Sequence, residues 1–145
     1  MNTAMTQFCT RPQANAGVHV QLKSPITGQD TEHWLLVRGQ DSDEFRAEED
    51  AARRRIQDAM AALPSDQRNV AKYVELTKAA KAEDKLLGAA SLVAAWSFAD
   101  VPCTRENVVE WLRDAPQVQD QIDMVAGDRA LFLASAAPPS TDSPK

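Results

Sequence analysis

A chain of 145 residues with a net charge of −5 and a pI near 5.0 is long enough for one domain with a real core, and its 43% hydrophobic and 26% charged residues are ordinary for a globular protein. The acidic balance argues against general nucleic-acid binding, which needs a concentrated positive surface; the basic residues interleave with acids, as Arg53, Arg54 and Arg55 do between Asp50 and Asp58. Two distant cysteines, Cys9 and Cys103, do not make a secreted disulfide framework, no N-terminal apolar run follows positive charge as in a signal peptide, and the longest apolar stretch, residues 86–96, is too short for a bilayer, which takes about 20 residues.

Residues 1–16 read as a polar, irregular arm that only Met5, Phe8 and Cys9 can anchor. Val18, Val20 and Leu22 then alternate with polar residues, which puts them on one face of a strand. Ser24, Pro25 and Gly28 supply turn chemistry, with Gly28 tolerant of a positive φ. A second strand over residues 32–38 carries Trp34, Leu36 and Arg38 on one face and His33, Leu35 and Val37 on the other. The two runs form a β-hairpin, and because an isolated hairpin is marginal in water it must lie against something else.

Gly39 ends that strand and residues 41–44 open a helix, with Asp41 as N-cap and Glu44 completing a capping box. Phe45, Ala52, Ile56, Ala59 and Leu63 form its inner stripe. Pro64 and Ser65 stop this helix and start another, whose inner stripe is Val70, Tyr73, Val74 and Thr77, with Lys72, Lys78, Lys81 and Lys85 in solvent. Residues 86–98 leave almost no polar face and are expected to form the buried central helix of the fold. Whether that helix continues the preceding one or follows a break near residues 82–84 is left open. Thr104 is the expected N-cap of a short helix carrying Val108, Val109, Trp111 and Leu112. Pro116 is the expected first residue of a last helix, along which Val118, Ile122, Val125, Arg129 and Phe132 recur at helical spacing. Residues 135–145, with Pro138, Pro139 and Pro144, are expected to be disordered. The expected fold is therefore α+β and mostly α. An irregular arm at 1–16 precedes a single domain at 17–134, in which an N-terminal β-hairpin at about 18–38 packs on a bundle of four to five helices.

Catalysis needs a nucleophile, a base or a metal, and none is assembled by spacing. His19 and His33 sit on strands and read as a cross-strand pair; no Cys-x-x-Cys or His-x-x-x-His spacing supports zinc. Cys103, just before a helix N-terminus, is placed where a thiol pKa can fall, but a small buried apolar side chain is the favoured reading. The five glycines are scattered and build no phosphate loop, and Asp120 and Asp123 read as a solvated helix face. Neither catalytic residues nor a cofactor or metal site is assigned, and the chain reads as a binding protein rather than an enzyme. Trp96 reads as core. Trp111 has modest area around it and is a candidate exposed anchor of the kind found at interface hot spots. Arg129 lies within an apolar stripe and calls for a carboxylate from a neighbouring helix, or else snorkels. Trp111, Val118, Ile122, Arg129 and Phe132 are the candidate partner-binding residues.

Several segments together resemble one family. The run 39–46 after a tryptophan-bearing strand, then residues 92–98, 102–107 and 114–116, then Gln121-Ile122-Asp123 followed by residues 128–132, is similar to the small tail assembly chaperones of long-tailed, siphovirus-like bacteriophages and prophages, in the expected order over residues 17–132. The resemblance implies a protein made in the host cytoplasm and absent from the mature virion. Its expected partner is the tape measure protein, a long, helical, poorly soluble chain that such chaperones keep from aggregating while helping to recruit tail tube subunits. Contact with the major tail tube protein would come through a longer product made by ribosomal frameshifting. Neither a nucleic acid nor a membrane is an expected partner, self-association is left open, and the alternative is a structural tail protein, a tube or connector subunit, retained in the virion.

Overall fold

The computed structural model describes residues 3–136 and is α+β, mostly helical. The expectation for residues 135–145 lies outside the described residues beyond Ala136. Helices α1 (Thr3–Thr6) and α2 (Arg11–Ala16) precede strands β1 (Val18–Lys23) and β2 (Asp30–Val37). Helices α3 (Asp43–Ala61) and α4 (Val70–Ser91) follow, joined by a 3-10 turn at Ser65–Gln67. Strand β3 (Val93–Trp96) then leads to α5 (Arg105–Asp114), α6 (Pro116–Ala126) and α7 (Arg129–Ala136).

The hairpin forms as its alternation requires. Val20 pairs with Leu35 and Val18 with Val37, and Leu22, Leu35 and Val37 are buried. Gly28 closes the connecting loop at φ +73°, and its N–H donates to Ser24 O at 2.8 Å. The hairpin does not stand alone against helices, however. Residues 86–98 are not one buried helix: α4 runs unbroken to Ser91, and β3 pairs antiparallel with β2, making a three-stranded sheet in the order β1-β2-β3. The physical reason is the open edge of β2. Its backbone groups need partners, and Val93, Ala94, Ala95 and Trp96 supply them in a segment whose uniform apolarity suits strand and helix alike.

The core lies between this sheet and the helices. Leu35, Leu92, Leu112, Ile122, Val37 and Val108 are its most deeply buried large residues. Burial of each is worth about 1.5–3 kcal/mol. From α4, Leu86, Ala89 and Ala90 join this core. The first half of α4 instead runs along α3, and the stripe expected to face inward is exposed: Val70 is 79% accessible, with Tyr73 and Val74 also exposed. A helix with one neighbour covers a narrow stripe, and here it is Leu76 and Ala80, with the Lys72 stem, that are half-buried.

Residues 3–16 are not irregular. Helix α2 docks through buried Ala14, whose carbonyl accepts from Gly39 N at 3.0 Å. A Cβ on Gly39 would stand 2.9 Å from the Ala14 Cβ, so this close approach requires glycine. Asn15 adds a pair of hydrogen bonds to Asp43, and Arg11 an ion pair. At the other end of the chain, the expected last helix is two helices. Gly127 and Asp128 interrupt it, so Val118 and Ile122 belong to α6 while Arg129 and Phe132 belong to α7.

Candidate functional site

An open depression on the surface lies where the end of β3 meets α5. It is a groove of about 790 Å³. Its floor is built from Trp96, Phe98 and Trp111, each half-buried. The three rings meet edge to face with centroids 5.4 Å (Trp96–Phe98), 5.6 Å (Trp96–Trp111) and 5.3 Å (Phe98–Trp111) apart, the arrangement that ring quadrupoles favour. His33 extends the floor, its ring 4.8 Å from that of Phe98.

Each element is held where the groove needs it. Thr104 caps α5 by accepting from Asn107 N, as its sequence position suggests, and Val108 and Leu112 sink into the core beside Trp111. The loop after β3 is tied at two points. Trp96 Nε1 donates to Val101 O at 2.8 Å, and the Asn107 side chain donates to Pro102 O at 3.0 Å. Ser97 Oγ accepts from Trp34 N at 3.0 Å and lies 3.2 Å from His33 Nδ1, which locks the strand end to its neighbour.

The electrostatics of the groove are one-sided. Asp100, Glu110 and Asp114 stand on its walls, and among the described residues no Lys or Arg lines it. The arginines of α5 are committed elsewhere. Arg105 pairs with buried Glu48 of α3, and Arg113 makes two hydrogen bonds to Glu83 of α4, at 2.6 and 3.0 Å. That contact holds the Glu83 carboxyl below its usual range and raises the Arg113 guanidinium.

The candidate residues separate. Trp111 lies in the groove. Val118, Ile122 and Phe132 are buried in the core, at 8%, 1% and 4% accessibility, so they offer a partner no surface; the stripe that suggested an interface is the side the helices turn inward. Arg129 has its carboxylate partner, Asp41, which comes from the loop before α3 rather than from a helix. Asp41 consequently does not cap α3; Ser42 does, accepting from Phe45 N. His19 and His33 do not face each other: His19 is opposite Leu36 and packs its ring on Trp34 at 4.7 Å. Trp96 is half-buried rather than wholly core.

The sequence did not single out Phe98, His33 or the three carboxylates as one group. Its available signal was the aromatic pair Trp96 and Phe98, two residues apart and so on one face of an extended segment. Asp123, read as solvated, is half-buried; its Oδ2 has no hydrogen-bond partner, and burial raises its pKa. It faces a second groove of about 480 Å³ that includes Phe45, Gly88 and Ala126.

No arrangement suited to metal chemistry accompanies these grooves: among the described residues no group of three or more His, Cys, Asp or Glu could hold an ion. The Cys103 thiol is pushed up by burial, against a weaker lowering effect of Arg38, which is the opposite of thiolate activation. Among the described residues no helix is long and apolar enough to cross a membrane. The Trp111 groove offers apolar area at its base and negative charge on its walls. Comparison with known proteins found no matching family model, no matching curated protein and no matching solved structure.

Proposed function

We propose that this chain is an assembly chaperone for a phage tail tape measure protein, acting in the host cytoplasm, and that the Trp111 groove is where the partner docks. One structural observation carries the binding part of the reading: three aromatic rings remain half-exposed on the floor of a groove of about 790 Å³, although burying such rings is strongly favoured. An exposed apolar groove of that kind marks an interaction site. The choice of partner rests on the sequence resemblance to small tail assembly chaperones.

The mechanism follows from the partner's physics. A long amphipathic helix exposes an apolar stripe and aggregates. A groove that accepts part of that stripe covers it in helix-in-groove fashion. Many copies along one chain gain from avidity, and their net negative charge keeps the assembly dispersed. Recruitment of tail tube subunits through a longer frameshift product belongs to the same proposal.

Co-expression with the tape measure protein encoded nearby tests it. The expected result is co-purification and a larger soluble fraction of the tape measure chain, both lost with Trp111→Ala. Absence of both effects with the unaltered protein overturns the reading. Mass spectrometry of purified virions should find the chain missing or scarce; stoichiometric recovery would point to a structural subunit instead.

A further inference from the structure

The chemistry of the partner segment can be narrowed, on the reading that the Trp111 groove is the docking site. A purely apolar segment seated on Trp96, Phe98 and Trp111 would cover the ring area but draw the carboxylates of Asp100, Glu110 and Asp114 out of water without offering them a partner, which is costly. An acidic segment would be repelled. A cation at the wall relieves both penalties. It meets the carboxylates through charge-assisted hydrogen bonds and lies within reach of aromatic faces.

The protein's own cations do not meet this need. Arg105 and Arg113, on the same helix as Glu110 and Asp114, are held by Glu48 and Glu83, and no ion pair joins Asp100, Glu110 or Asp114 to any basic group among the described residues. We propose that the groove selects a cationic amphipathic helix. Its apolar side chain seats on the surface formed by Trp96, Phe98 and Trp111, and Lys or Arg residues three or four positions away meet Asp100, Glu110 and Asp114.

Two synthetic helical peptides with the same apolar stripe, one flanked by Lys and Arg and the other by Glu, test this by calorimetric titration into the full-length protein. The cationic peptide should bind at least tenfold more tightly, with an advantage that shrinks as salt is added. Combined D100N, E110Q and D114N substitutions, at exposed positions where folding is readily verified by circular dichroism, should reduce the preference to under threefold. Trp111→Ala should weaken both peptides. Equal affinity for the two, tighter binding of the Glu peptide, no binding of either, or an undiminished preference in the triple variant overturns the inference. If co-purification with the tape measure protein still depends on Trp111 in that event, only the charge selectivity falls; if co-purification is also absent, the docking reading falls with it.

Discussion

The Arg129 guanidinium grips both carboxylate oxygens of Asp41, Nε to Oδ2 at 2.6 Å and Nη2 to Oδ1 at 2.9 Å, across 88 residues of sequence. Thr10 adds a hydroxyl donor at 2.7 Å, and Arg46 lies 3.5 Å away. One buried carboxylate thus ties together the N-terminal arm, the loop before α3 and the last helix.

Removing that anion should loosen all three. The Arg129 hydrogen bonds, with smaller help from Thr10, hold the Asp41 carboxyl well below the usual carboxylate range even though burial opposes this. A carboxylate whose pKa is lower folded than unfolded stabilises the fold above its unfolded value, near pH 4, and loses that contribution as the pH falls through the folded value. Asp41→Asn should cost about 1–3 kcal/mol at neutral pH. Urea denaturation should find the gap between the unaltered protein and the variant constant above about pH 5 and closing below about pH 4.

A second buried carboxylate holds α5 against α3. Glu48 is 5% accessible and receives Arg55 at 3.1 Å and Arg105 on its other oxygen; Arg55 also reaches Asp84 of α4 at 3.0 Å. Glu48→Ala leaves Arg55 only Asp84 and takes away the carboxylate that pairs with Arg105, and should cost about 1–3 kcal/mol. Because Arg105 begins the helix that carries Trp111, hydrogen exchange in α5 should speed up more than in β1 and β2.

The fold was legible wherever a period had one solution. Val18, Val20 and Leu22 against His33, Leu35 and Val37 admit a hairpin, and Thr104 ahead of Val108 and Leu112 admits a capped helix. Residues 93–96 were not legible because an unbroken apolar run has no period, and the demand that makes them a strand is the vacant edge of β2, which is not local. Asp41 and Ser42 have equal capping chemistry. What assigns the cap to Ser42 is Arg129, far along the chain, drawing Asp41 away. The groove escaped for the same reason: His33, Phe98 and Trp111 become neighbours after β3 has joined the sheet. Trp111 itself was legible as a large side chain on a helix too short to bury it.

Cys103 offers a direct check on local electrostatics. The side chain is partly buried, and desolvation raises its pKa above the ordinary value against a weaker lowering effect of Arg38. Cys103 should therefore react with iodoacetamide at pH 8 more slowly than a model thiol. The comparison is best made in a Cys9→Ser background, and the rate should rise on unfolding in urea. A rate above that of the model thiol in the folded state would contradict this placement.

Trp111 and Leu112 are adjacent and should behave oppositely. Leu112 is 1% accessible and packs in the core; Leu112→Ala removes buried volume and should cost about 2–5 kcal/mol. Trp111 is half-buried on the groove floor, where its ring braces Trp96 and Phe98 edge to face. Trp111→Phe keeps an aromatic surface there and should change stability by less than Leu112→Ala, while Trp111→Ala should weaken partner binding by more than tenfold. Thermal unfolding of each variant beside its titration with the cationic peptide separates the two effects. If Trp111→Ala unfolds the protein as fully as Leu112→Ala and binding by the folded fraction is unchanged, the ring is core and the groove is not a binding site. If the fold persists while binding is lost, the half-exposed rings are there for a partner.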